Sequence, residues 1–187
     1  MTTDNFLVSL KKARSYGLDE FLEIVGELSQ ESTKKGLIGR KCKELITLGI
    51  ALQKQCNRCI KIHHAESVKL GATPEELSLV NRIVLFLNAS PGPGELWSHW
   101  EDSWREFSLG RAALEHHHRE LIALGIALVR QQTEHINLHA GAALEFGATP
   151  EQVFEVMPIA LLMDGAPALS QIPHLVKALE IPLAAAS

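Results

Sequence analysis

With 187 residues, 46% of them hydrophobic, the chain can build the core of one ordinary domain, or of two small fused ones, without disulfide staples. Its formal net charge of −4 gives no electrostatic case for nucleic acid or an anionic membrane as a partner. Three cysteines, Cys42, Cys56 and Cys59, with one C-x-x-C among them, suit a reducing cytosol better than a secreted disulfide scaffold. The first residues carry no basic segment followed by an apolar run, and no apolar stretch approaches the roughly 20 residues of a membrane span. The expectation is a cytoplasmic protein.

Period-2 alternation is absent, and apolar residues recur at helical spacing almost throughout. A first helix is expected from Asn5 to Tyr16, stopped by Gly17. A second begins near Asp19 and places Phe21, Ile24, Val25 and Leu28 on one side. Basic residues (Lys11, Lys12, Arg14, Lys34, Lys35, Arg40, Lys41, Lys43) are interrupted by acidic ones and read as a solvated helix face. Gly36 and Gly39 flank a loop. Arg40 to Gln55 reads as a long helix whose middle, from Leu45 to Leu52, is apolar on all sides and therefore buried. The next helix runs from about Cys56 to Leu70 with Gly71 just beyond its end. Thr73, Pro74 and Glu76 then supply N-cap, N1 and N3 of a helix reaching Asn88. Residues 89–94 (Ala-Ser-Pro-Gly-Pro-Gly) are a linker near the midpoint.

The chain beyond the linker repeats the chain before it. Glu44-Leu-Ile-Thr-Leu-Gly-Ile-Ala-Leu returns as Glu120-Leu-Ile-Ala-Leu-Gly-Ile-Ala-Leu, a spacing of 76 residues. The same spacing pairs His63 with His139 and the run from Gly71 to Glu75 with that from Gly147 to Glu151. Phe21, Ile24 and Leu28 fall on Trp97, Trp100 and Trp104, which read as core or subunit interface. The expected fold is all-α, a tandem duplication with one copy in residues 1–90 and the other in 91–187. Gly49 and Gly125 recur inside helices, where glycine costs about 1 kcal/mol against alanine. That cost is consistent with a close helix–helix approach. Cys56 and Cys59 face Gln132 and His135, so the shared fold does not need the thiols.

Cys56, Cys59 and His63 stand at i, i+3 and i+7 of one helix, which is a single face. Such a pair can close a disulfide while a nearby imidazole takes a thiol proton; a zinc half-site or two buried thiols would use the same spacing. Glu44, at the start of the preceding helix, can point at that face or complement the helix dipole. In the second copy Glu120, His135 and His139 could supply three metal ligands, but His139 also fits as filler of the slot that His63 occupies. His116, His117 and His118 read as exposed and incidental, His64 as pointing to another face, and Cys42 as a bystander.

The pattern Glu44-x11-Cys56-x2-Cys59-x3-His63 on consecutive helices resembles the AhpD-like alkyl hydroperoxidases of the carboxymuconolactone decarboxylase superfamily. The resemblance implies a helical repeat protein that reduces hydroperoxides. Cys59 would be the peroxidatic thiol, Cys56 the resolving thiol, and His63 with Glu44 the proton relay. It further implies a thiol or dithiol reductant, no organic cofactor or metal, and a homo-oligomer, trimeric or hexameric. Arg58 departs from the family's frequent histidine between the cysteines. The cysteine-free second copy resembles the decarboxylase side of the superfamily. A cofactor-free decarboxylase or lactone-processing enzyme, and a redox or metal-binding module, are the alternative functions.

Overall fold

A computed structural model describes residues 3–111 and 113–180. No strand occurs among them. Helix α1 (Thr3–Ala13) passes through a wide turn, Arg14–Leu18, into α2 (Asp19–Thr33). Gly17 bends the chain there with φ of 88°, a conformation open to glycine and costly for residues with a Cβ. Then come α3 (Arg40–Gln53), α4 (Asn57–Lys69) and α5 (Pro74–Asn88). Helices α6 (Trp97–Leu109), α7 (His116–Arg130) and α8 (Thr133–Glu145) repeat α2, α3 and α4. The counterpart of α5 is split into α9 (Pro150–Phe154) and α10 (Val156–Asp164), and α11 (Ala166–Leu169) and α12 (Ile172–Glu180) close the chain.

Local chemistry accounts for these boundaries. Thr73 and Thr149 each form a complete capping box, with Glu76 and Gln152 respectively at N3. Gly71 and Gly147 terminate α4 and α8 at φ of 85° and 94°. The break after Phe154 follows from Pro158, which has no N–H for the Phe154 carbonyl; the first copy has Arg82 at that position. Turning there leaves Glu155 free to reach into the other copy.

The two copies share one core, built on α3 and α7. Both helices are buried over nearly their whole length, as their all-apolar middles require. They cross where Gly49 meets Ile122 and Ile126, and where Gly125 meets Ile46 and Ile50. The contacts are reciprocal under the 76-residue spacing, so the copies are related by a pseudo-two-fold axis. The periphery obeys the same symmetry. Lys54 pairs with Asp164, while Arg130 donates to the Leu87 carbonyl at 2.6 Å and to Asn88 at 3.2 Å.

Two expectations are corrected. Lys43 does not lie on a solvated face: it is 2% exposed, and its ammonium donates to Glu155 Oε1 at 2.8 Å and to the Lys34 carbonyl at 2.9 Å. Its counterpart Arg119 donates to the carbonyl of Gly110, the residue equivalent to Lys34, and to those of Leu114 and Ser108. Each copy thus grips the loop ahead of its central helix with one buried cation. The second correction concerns the paired stripes of α2 and α6. Trp100 and Trp104 are buried, whereas Phe21, Ile24 and Val25 are all more than half exposed. Helix α2 turns another side inward, with Leu22, Leu28 and Ser29 half-buried and Ser32 buried, and it packs against α10.

The crossing yields a stability prediction. A Cβ at Gly125 would stand 2.8 Å from Ile46 Cγ2, while one at Gly49 would stand 3.1 Å from Ile122 Cγ2. Alanine gains about 1 kcal/mol in helix propensity, against roughly 1–3 kcal/mol for overpacking. In urea unfolding Gly125→Ala should lose roughly 1–2 kcal/mol, and Gly49→Ala should stay near neutral. Equal effects would show that the two crossings are not packed as described.

Candidate active site

The first copy brings together the four residues singled out by the sequence. Cys56 is the N-cap of α4, and its Sγ accepts the Cys59 N–H at 3.3 Å. Its Cα lies 5.3 Å from that of Cys59, and the two sulfurs are within bonding distance. The turn before it is the same in both copies: Gln55 and Gln131 take the left-handed conformation, at φ of 54° and 56°. That geometry sets Cys56 and Gln132 alike at the mouth of their helices. One turn beyond Cys59, His63 Nδ1 meets Glu44 Oε2 at 2.8 Å. Glu44 comes from the second turn of buried α3, so α3 fixes the carboxylate and α4 carries imidazole and sulfurs to it.

Arg58 points away from this cluster. Its guanidinium lies over the Phe6 ring, 3.6 Å from the centroid, a cation–π contact that ties α1 to the start of α4. His64 is exposed. Cys42 is buried on α3, and burial pushes its thiol pKa up to about 12; such a thiol is inert near neutral pH.

The second copy holds the same Glu–His pair in a sealed setting. Glu120 and His139 are 1% and 0% exposed, with His139 Nδ1 at 2.8 Å from Glu120 Oε2. The Trp104 indole N–H donates to both carboxylate oxygens at 3.2 Å, and the Ser108 hydroxyl donates to Oε1. His139 Nε2 stands 3.3 Å from His135 Nδ1, whose Nε2 stands 2.8 Å from Ser90 Oγ. One assignment satisfies the whole chain: Ser90 O–H to His135, His135 N–H to His139, His139 N–H to Glu120. Both imidazoles are then neutral, and desolvation, aided by His139, lowers the His135 pKa to about 3. Every ring nitrogen is engaged pairwise rather than aimed at a common point, so these residues do not present three convergent metal ligands.

Coverage separates the two settings. Trp97 and Trp100 stack edge-on against His135 and Trp104 against His139, while α12 packs on α8. Among the described residues helix α4 has no such cover: Cys56, Cys59 and His63 remain half-buried, and Ile62 and Val68 beside them are 43% and 49% exposed. In the first copy Glu44 has His63 as its one hydrogen-bond partner among the described residues. A small cavity of about 90 Å³ opens beside Glu120 between Trp104, Leu138 and Phe146. Sequence reasoning missed Ser90, Trp104 and Ser108 as members of the second cluster. The spacing of the tryptophans gave only a buried face, and nothing local marks a linker serine as a histidine partner.

The buried chain has a pH consequence. A histidine with a folded pKa near 3 and an unfolded value near 6.5 takes up its proton first in the unfolded state. Its contribution to stability is therefore complete above pH 6.5 and falls as the pH drops toward 3. The slope is about 1.4 kcal/mol per pH unit. Chemical denaturation at pH 7 and pH 5 should show the parent losing roughly 2 kcal/mol more than His135→Gln over that interval. Parallel losses would mean that His135 is not buried as a neutral ring.

Comparison with known proteins places the chain in a family. The model of the carboxymuconolactone decarboxylase family matches it twice, at residues 19–92 and 99–178. An uncharacterized protein of Cupriavidus necator is 33% identical over 61 residues, which is 33% of this chain and 54% of that protein. The chain thus spans about half the length of this relative. No solved structure matches. No helix among the described residues is long and apolar enough to cross a membrane. With both copies matched and an all-helical tandem repeat to carry them, the chain belongs to the carboxymuconolactone decarboxylase family, which includes the AhpD-like proteins.

Proposed function

We propose that this protein is an AhpD-like thiol peroxidase that reduces hydroperoxides with Cys59 and Cys56, assisted by His63 and Glu44. One comparison within the chain carries the reading. Cys59 occupies the position of His135, and His135 hydrogen-bonds the ring nitrogen of His139 that faces away from Glu120. By the same register the Cys59 thiol would face Nε2 of His63, which has no hydrogen-bond partner among the described residues, while Glu44 holds Nδ1. Glu44 fixes the tautomer, and His63 is the base.

In the reaction the Cys59 thiolate attacks the terminal peroxide oxygen. An S–O bond forms, the O–O bond breaks, and the alcohol leaves with the proton that His63 took from the thiol. Cys56 then attacks the Cys59 sulfenic acid. The S–S bond forms as S–O breaks, and water departs. An external thiol or dithiol returns two electrons and two protons to the disulfide, so neither metal nor organic cofactor is required. Cys56, at the mouth of α4, is stabilised as a thiolate by roughly 0.3–1 kcal/mol of dipole interaction. A positioned base gives Cys59 about 10²–10⁴-fold in rate. The base prevails, and Cys59 reacts first. A decarboxylase-like reaction at Glu120 is disfavoured, because Trp104, Ser108 and His139 already engage both its oxygens. Reductant-dependent turnover through a C-x-x-C fits a cytoplasmic setting.

The test is dimedone labelling of the two single mutants after one equivalent of hydroperoxide, read by peptide mapping. Cys56→Ser should carry label on Cys59, Cys59→Ser should carry none, and Cys42 should stay unmodified in both. His63→Ala should slow label formation by about 10²-fold or more. Label on Cys56 in the Cys59→Ser protein would reverse the assignment.

The exposed apolar side chains of α1 and α2, among them Val8, Phe21, Ile24 and Val25, support assembly into a homo-oligomer, a trimer or a hexamer. Light scattering at micromolar concentration should give a multiple of 20.6 kDa. The monomer mass would reject the assembly.

A further inference from the structure

The three consecutive histidines at the start of α7 are not the exposed, incidental run that the sequence suggests. All three are half-buried, and they part company. His116 tilts onto the Phe146 ring, 5.0 Å between centroids. His117 and His118 instead lie together, 4.1 Å between centroids, beside the carboxylate of Glu115. One donor atom from each of Glu115, His117 and His118 lies within 4.8 Å of the other two, and no other group among the described residues converges in this way. We propose that Glu115, His117 and His118 form a binding site for a divalent first-row transition ion of the zinc class, its fourth position open to water.

The donor set favours such an ion. Two imidazoles and one carboxylate suit zinc, cobalt, nickel or copper, whereas calcium and magnesium ask for oxygen ligands. Donors about 2.0–2.1 Å from a tetrahedral ion stand roughly 3.4 Å apart. Glu115 Oε2 and His117 Nδ1 are already 3.5 Å apart, so only His118 has to close on the other two. No hydrogen bond among the described residues engages the ring nitrogens of His118. Two features oppose a cation: the N-terminal end of α7, and Lys41 nearby. Glu76 accepts from the Lys41 ammonium at 2.7 Å and largely compensates it, and the carboxylate of Glu115 offsets the helix end. The ion would join the residue before α7 to its first turn, beside the loop that Arg119 grips. It is separate from the thiol site, because none of its three ligands belongs to that cluster.

The experiment uses the untagged full-length chain with Cys56→Ser and Cys59→Ser, so that thiols cannot compete. Calorimetric titration with Zn²⁺ and the visible spectrum with Co²⁺ should both show one ion per chain. Thermal denaturation should show a higher Tm with Zn²⁺ present. Binding and the Tm shift should vanish in His117→Ala/His118→Ala and weaken in Glu115→Gln. They should persist in His116→Ala, with circular dichroism confirming that each variant is folded. Absence of binding in the parent, retention in the double variant, or equal loss in His116→Ala would overturn the site.

Discussion

The crossing of α3 and α7 is the constraint on which the rest depends. Two helices without a polar face can be stable in water only when other helices cover them on every side. Gly49 and Gly125 bring them close, so that Ile46, Ile50, Ile122 and Ile126 fill the space that side chains would have taken. From that pair everything else is hung: α5 and α10 pack against both central helices, and the Lys54–Asp164 and Arg130–Asn88 contacts tie the rims. The second turns of the same two helices carry Glu44 and Glu120. Burial of the core and placement of the carboxylates are therefore one event.

The copies differ in how far each carboxylate is already satisfied. A buried carboxylate is costly unless donors surround it. Glu120 has Trp104, Ser108 and His139, and the ring behind it continues to His135 and Ser90. Such a fully satisfied network makes a rigid and unique packing arrangement. Glu44, also buried, has only His63 among the described residues, and that ring is itself partly exposed. Duplication has thus produced two settings for one Glu–His pair on a shared backbone, one sealed and fully satisfied and the other with a single hydrogen-bond partner among the described residues.

The side-chain correspondence between α2 and α6 shows where pattern stops being informative. Phe21, Ile24 and Leu28 match Trp97, Trp100 and Trp104 in register, yet the two helices present different sides to the protein. Periodicity reports that a helix has an apolar stripe, not which neighbour the stripe meets. In α6 the large indoles reach Phe86 on α5 and the histidines of α8. In α2 the side with Ser29 and Ser32 is turned inward, α10 packs against the helix, and Phe21, Ile24 and Val25 are left outside. Lys43 teaches the same lesson in reverse. A lysine among other charges reads as solvated, and only the loop carbonyl of Lys34 and the carboxylate of Glu155, far away in sequence, make its burial possible.

Features that depend on near neighbours and on self-comparison are legible in the amino-acid order. Helix starts at Thr73 and Thr149, ends at Gly71 and Gly147, the buried middles of α3 and α7, the duplication and the Cys56–Cys59–His63 face all come from spacings within a turn or two, or from one constant offset. The glycine approach is legible too, because a mid-helix glycine kept in both copies has a cost that only packing repays. The assembled fold decides the rest. It settles which side of α2 faces inward, how Arg58 is drawn onto Phe6, how Ser90 and Trp104 complete the Glu120 network, and how Glu115, His117 and His118 converge. These depend on contacts between residues distant in the chain or on side-chain directions around a helix start. Neither is encoded in periodicity, which specifies faces but not what they meet.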